Sequence, residues 1–261
     1  MDRVNKAVNA FDLRELCFFE RQLLQEHVIP FLGSSARTGA VSLTVDQMKS
    51  RYGIFVETIS DVNKLSFLEF LHSHHIDAGI SLRCYQRFGK RILQYFRSPH
   101  CLLNLHPGIL PSYRGVMTAI RAMSNGEREF GYTLHHVNEH YDSGDILEIR
   151  THPIDYRKSM LHVMGDVYDI GVEMVLDSIE SLAHGTPLPA SSQSAAGSQY
   201  YTFPTEEELG AYRMKGIHLV DPPAICDLLI QSFAPPGDEK ALQQVIEKAA
   251  RQWYEKAGVT K

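Results

Sequence analysis

An amide and an imidazole stand two residues apart at Asn104 and His106, closing the apolar run Cys101-Leu102-Leu103, and a carboxylate follows at Asp142 in the turn Tyr141-Asp142-Ser143-Gly144. Side chains two residues apart in an extended chain point to the same side. A rigidly held amide can donate its N–H to a carbonyl oxygen as that oxygen becomes an oxyanion, a contribution of about 3 kcal/mol. Imidazole titrates near neutrality and suits acceptance and return of a proton. A carboxylate beside the ring would orient it and stabilise its charged form. These are the parts needed to move an acyl group.

Such groups need elements to hold them, and over its first two-thirds the chain alternates helical and strand patterns, the signature of an α/β fold. Helices are expected over 13–24, 44–52 and 64–72, and strands over 27–32, 54–56, 79–82 and 101–104. The last strand would carry Asn104 and His106 to its carboxyl end, the edge at which open sheets bind ligands. Two further strands are expected over 128–136 and 146–154, and one long helix over 159–182. Its apolar stripe would be Leu161, Met164, Val167, Ile170, Met174, Val175, Ile179 and Leu182, with Gly185 ending it. Residues 187–198 read as a linker and 200–203 as a short strand. Thr205 and Glu208 form a capping-box pair before the next helix, and helices follow over 222–233 and 239–256. In the last of these Leu242, Val245, Ile246 and Trp253 offer docking or homodimer contacts. The expected architecture is an open, mainly parallel, Rossmann-like sheet with flanking helices over 1–185 and a small C-terminal subdomain or lid over 186–261. Residues 1–10 are too polar for a buried first strand, so that strand is absent or rebuilt.

Composition narrows the function classes. With 44% apolar residues among 261, the chain can bury a sizeable core, which excludes a fibrous or disordered protein. A net charge of −5 provides no basic field for a phosphate backbone, so a small-molecule substrate is expected and a nucleic-acid partner is not. Cys17, Cys84, Cys101 and Cys226 are scattered and unpaired in pattern, as in a reduced cytoplasmic protein. No run reaches the roughly 20 apolar residues of a membrane span, and no secretory leader is visible at the N-terminus. His72-Ser73-His74-His75 reads as a solvated helix end in preference to a metal site, and no metal is expected.

The stretch Asn104-Leu105-His106-Pro107-Gly108-Ile109-Leu110-Pro111, continued by Tyr113-Arg114-Gly115, resembles the Asn-x-His-Pro-Ser-Leu-Leu-Pro motif of the folate-dependent formyltransferases. That family includes glycinamide ribonucleotide, methionyl-tRNA and sugar-amine formyltransferases. Gly131-Tyr132-Thr133-Leu134-His135 is similar to its Gly-x-Thr-x-His strand, and Asp142-Ser143-Gly144-Asp145-Ile146-Leu147 to its Asp-Thr-Gly-Asp-Ile-Leu segment. The resemblance implies transfer of a formyl group from 10-formyltetrahydrofolate to a primary amine, with Asn104, His106 and Asp142 as the catalytic set and no metal. It also implies a folate cleft built from the segments around 82–88 and 136–142, here through Leu82, Arg83, Cys84, Tyr85, Arg87, His135, Val137, Asn138, Glu139 and Asp142.

Two departures stand out: Gly108 replaces the usual Ser, and the first strand with its phosphate-gripping loop is not visible. The latter argues against glycinamide ribonucleotide. The short C-terminal part, of mixed charge with Glu206-Glu207-Glu208, argues against tRNA. The expected acceptor is therefore a nucleotide-linked amino sugar or an amine of a siderophore or antibiotic precursor. The alternatives are hydrolysis of the formyl donor, the tRNA or ribonucleotide acceptors, and folate binding without catalysis.

Overall fold

The computed structural model describes residues 9–34, 43–97 and 101–259. These fall into two compact units, one over Ile59–His218 and the other made of the described parts of 6–58 and 219–261. The boundary drawn from composition at 185 therefore lies inside the first unit. The linker-like segment belongs to the sheet unit because its far end pairs back onto the sheet unit's own chain.

The first unit is an open four-stranded sheet in the order β1-β2-β4-β5, formed by β1 (Ala78–Leu82), β2 (Cys101–Pro107), β4 (Glu129–His136) and β5 (Ile146–Pro153). β1 and β2 pair in parallel, whereas β4 is antiparallel to both β2 and β5. Three strands thus share one direction and β4 alone is reversed, so the expected α/β sheet with a dominant direction is present but most of its pairings are antiparallel. The reversal follows from the short connection between β4 and β5, which only an antiparallel pair can use. A second, parallel ladder joins β3 (Arg114–Gly115) to β6 (Tyr200–Tyr201).

Hydrophobic burial holds this sheet from both ends of its central strands. Leu103 and Leu134 are fully enclosed, and Leu71, Ile92, Phe96 and Leu102 form one cluster between β2 and the helices α4 (Leu65–Ser73) and α5 (Lys90–Tyr95). α6 (Thr118–Ser124) buries Ala119, Ile120 and Met123. The long helix expected over 159–182 is two, α7 (Met160–Asp166) and α8 (Tyr168–Ala183), meeting at Val167. The buried face is Met160, Val163, Val167, Gly171, Met174 and Ser178, at helical spacing through the break. Ile179, expected on that stripe, is exposed. Gly171 is small enough for the helix to lie close on Leu105 and Tyr132. Gly185 adopts φ +66° one turn past the helix, as a C-terminal stop requires. α9 (Glu206–Met214) begins at Thr205 with both hydrogen bonds of the capping box.

The second unit is helical. α1 (Phe11–Cys17) runs through π-helical turns at Phe18–Gln22 and Leu24–Val28 into α2 (Ile29–Ser34). The strand expected over 27–32 is therefore helix. Leu13, Leu16, Phe19, Leu23, Val28 and Leu32 are all buried, and the five-residue step from Leu23 to Val28 is the one a π turn accommodates. That irregular spacing hid the helix from a 3.6-residue pattern. α3 (Val45–Tyr52) forms behind a Thr44 capping box, but 54–56, expected as a strand, is irregular and exposed. α10 (Pro222–Phe233) and α11 (Glu239–Ala257) complete the unit. Leu242 and Ile246 are fully buried, and Trp253 stacks on Phe18 with ring centroids 5.2 Å apart. Leu242, Ile246 and Trp253, three of the four residues expected to mediate docking or dimerisation, pack within their own unit. No helix among the described residues is long and apolar enough to cross a membrane.

Candidate active site

β2 delivers Asn104 and His106 toward its carboxyl end, and the neighbouring β4 sets His135 opposite Asn104 and Thr133 opposite His106. Asp142 arrives on the β4–β5 turn. Its Oδ1 lies 3.5 Å from His106 Nδ1 and 3.9 Å from His135 Nε2. Asp142, distant in sequence from His106, is therefore its neighbour at one end of the sheet.

Each is held by identifiable contacts. His135 Nδ1 is 2.8 Å from the His136 carbonyl, so that nitrogen carries the proton and Nε2 is left as an acceptor. Asn104 Nδ2, 3.0 Å away, donates to it, which orients the amide and leaves its second N–H uncommitted to His135. Burial, with the facing His106 adding to it, pushes His135 down to about 4, so its ring stays neutral and keeps its acceptor role near pH 7.

His106 donates from Nε2 to the Tyr113 carbonyl at 2.6 Å, which turns Nδ1 to Asp142. Its side chain is almost wholly enclosed. Gly108 explains this approach. A Cβ there would lie 2.7 Å from the Tyr113 oxygen and 2.9 Å from His106 Nε2. The Thr133 hydroxyl fixes the same loop, donating to the Gly108 carbonyl at 2.6 Å and accepting from Leu110 N–H at 3.1 Å.

Asp142 has φ +50°, a left-handed backbone uncommon outside glycine. The Gly115 N–H donates to its Oδ2 at 2.8 Å. Gln193 donates to the Asp142 and Gly144 carbonyls at 3.2 and 2.7 Å, and Ser191 pairs with Ile146 through both backbone hydrogen bonds. The segment read as a linker thus pins the turn that presents the carboxylate. Gly144 is required there, since a Cβ would come within 1.8 Å of the His136 carbonyl oxygen.

A cleft opens beside these groups between 81–88 and 135–142. Of the expected folate contacts, Cys84, Arg87, His135, Val137, Asn138, Glu139 and Asp142 line it. Leu82, Arg83 and Tyr85 do not. Leu82 alternates away from buried Ser81 on β1, and the positive φ of Arg83 redirects the loop. Asn104 and Asp142 line the cleft, and His106, beside Asp142, does not. Gln86, Phe88, His140 and Tyr141, within the two segments expected to build the cleft, also line it, as does Ser81 just before the first. The two walls touch through the Arg87 guanidinium, which donates to the Glu139 carbonyl, and the Tyr141 hydroxyl, which donates to the Tyr85 carbonyl at 3.3 Å. His74 stacks on Phe70 at 4.1 Å, and no group of metal-binding side chains is found among the described residues.

This α/β frame with its Asn-His-Asp cluster has relatives. Residues 62–179 match the family described as formyl transferase. Among curated proteins it is 32% identical over 124 residues to a methionyl-tRNA formyltransferase of Thermotoga neapolitana, covering 48% of this chain and 39% of that protein. It is 34% identical over 112 residues to the one from Thermus thermophilus, covering 43% and 35%. The chain thus spans less than half the length of the curated relatives it matches. Solved structures similar to it include an N-formyltransferase of Helicobacter canadensis in complex with folinic acid and dTDP-3-aminofucose, at 28% identity, 38% and 37% coverage and TM-score 0.36. A 4-N formyltransferase of Francisella tularensis aligns at 18% identity over 56% of this chain and 70% of that one, TM-score 0.43.

Proposed function

We propose that this protein transfers a formyl group from 10-formyltetrahydrofolate to the primary amine of a small molecule, of which a nucleotide-linked amino sugar is the first candidate. The observation that carries the reading is the convergence of Asn104, His106 and Asp142 beside one cleft. The donor fits that site in one respect the chain itself supplies: an amide with an N–H to spare on the cleft wall, fixed by a neutral imidazole behind it.

When bound, the folate supplies the formyl carbon. The Asn104 N–H meets the carbonyl oxygen as negative charge grows on it, where a preoriented donor acts most strongly. Asp142, a carboxylate on the cleft wall, takes the proton released by the attacking amine and returns one to the folate nitrogen as its bond to the formyl carbon breaks. His106 beside it orients the carboxylate and is itself held by the Tyr113 carbonyl. Burial of the ring strengthens its pairing with the carboxylate.

Asn104→Ala should lower kcat by about 100- to 1,000-fold while donor binding changes by less than about threefold. The assay follows tetrahydrofolate release with a panel of amines and detects the formylated product by mass. Release of formate at the full rate without any amine would make the protein a hydrolase instead. The names of the curated relatives favour a second acceptor, methionyl-tRNA, so it belongs in the panel.

A further inference from the structure

Asp142 has two sides. The folate-type cleft lies on one, and the β3–β6 ladder lies on the other, where the Gly115 N–H holds its Oδ2. A transfer between two bound molecules needs the acceptor amine to reach the formyl carbon from space that the donor does not fill. If the cleft takes the donor, the ladder faces the acceptor.

The ladder's side chains are sorted accordingly. Tyr201 turns inward, stacking on Tyr113 with centroids 5.7 Å apart and receiving the Arg121 guanidinium over its ring at 5.3 Å. Tyr200, one residue earlier, points to the opposite face and is 50% exposed. Its register partner Arg114 has its guanidinium carbon 5.9 Å from the Tyr200 ring centre. The Arg114 fork donates to the Ser198 hydroxyl and the Tyr141 carbonyl, Nε finds no partner, and the residue forms no ion pair with a carboxylate among the described residues. Its positive charge is therefore supported on neutral oxygens and left uncancelled. The Tyr200 phenol is raised above its usual pKa by burial, with the Asp142 carboxylate adding to the effect.

We propose that Tyr200 and Arg114 form the acceptor subsite, in which the ring of a phosphate-bearing amino sugar lies against Tyr200 and its phosphate faces Arg114. An exposed aromatic face takes the C–H face of a sugar, and a guanidinium pairs with phosphate more strongly than with a neutral group. The assignment rests on the formyl-transfer reading and adds the class of acceptor to it.

The test measures formylation of a nucleoside-diphosphate-linked amino sugar, the corresponding sugar phosphate, the same amino sugar without phosphate, and methionyl-tRNA. Tyr200→Ala should raise KM for the two phosphorylated sugars about tenfold, with kcat and donor KM within about twofold, while Tyr200→Phe stays within about threefold. The unphosphorylated sugar should be the poorest of the three sugars for the wild-type protein, and added salt should raise KM for the phosphorylated ones. An active wild-type protein whose acceptor KM is unmoved in Tyr200→Ala overturns the subsite and leaves formyl transfer intact. So does exclusive use of methionyl-tRNA, or equal use of the unphosphorylated sugar. A wild-type protein that binds the donor yet formylates none of the four overturns the underlying reading and the subsite with it.

Discussion

Gly108→Ser restores the residue that the resembling motif carries, and here it should damage the protein. A Cβ at this position would stand 2.7 Å from the Tyr113 carbonyl oxygen and 2.9 Å from His106 Nε2, and the backbone is at φ +156°. The ring or the Tyr113 loop must move. Moving either breaks the 2.6 Å hydrogen bond that turns His106 toward Asp142. Leaving a buried imidazole nitrogen and carbonyl unpaired costs about 1–3 kcal/mol, and backbone strain adds about 1–3 kcal/mol. A central expectation is a loss of about 3 kcal/mol, hence a fall in Tm of about 6–12 °C for a chain of this size. With His106 displaced, kcat should fall about 10- to 100-fold while donor affinity is retained, because Gly108 does not line the cleft. Thermal unfolding followed by circular dichroism and steady-state kinetics would read both. A variant with Tm within about 2 °C of the wild type and unchanged kcat would refute the packing argument and the role assigned to the Tyr113 carbonyl.

Two further outcomes follow from the same geometry. Gln193→Ala removes both donors' contacts to the Asp142 and Gly144 carbonyls, and should lower kcat about 5- to 30-fold by loosening the turn; kcat matching the wild type would show that the backbone holds Asp142 unaided. His135 is neutral when folded down to about pH 4, whereas its ordinary value is 6.5, so between those limits the unfolded chain binds a proton that the folded chain refuses. Stability from this group therefore falls as pH drops below 6.5, by about 2 kcal/mol at pH 5 relative to pH 7.5. His135→Gln should flatten that part of the denaturation profile, and an identical profile in the variant would contradict the burial of a neutral ring.

The residue types at Asn104, His106 and Asp142, and the strands that carry the first two, were legible because strand patterning and motif spacing are local properties. So were the capping boxes at Thr44 and Thr205, where two side chains three residues apart suffice. The direction of β4 was not, since a strand's own alternation carries no sign of which neighbour it will pair with. Nor was the helix over 27–32, whose π turn breaks the period that pattern reading relies on. The amphipathic stripe of residues 159–182 misled for a different reason: the buried face includes Gly171 and Ser178, which carry no apolar signal, while apolar Ile179 faces out.

By itself the sequence determined which chemical groups are present and the local elements that carry them. Tertiary structure alone decided that Asp142 stands beside His106, that Asn104 is tethered by a neutral His135, and that a loop residue as remote as Gln193 holds the turn. Distances between side chains far apart in the chain depend on strand order and turn geometry, which are settled only when the whole sheet unit closes.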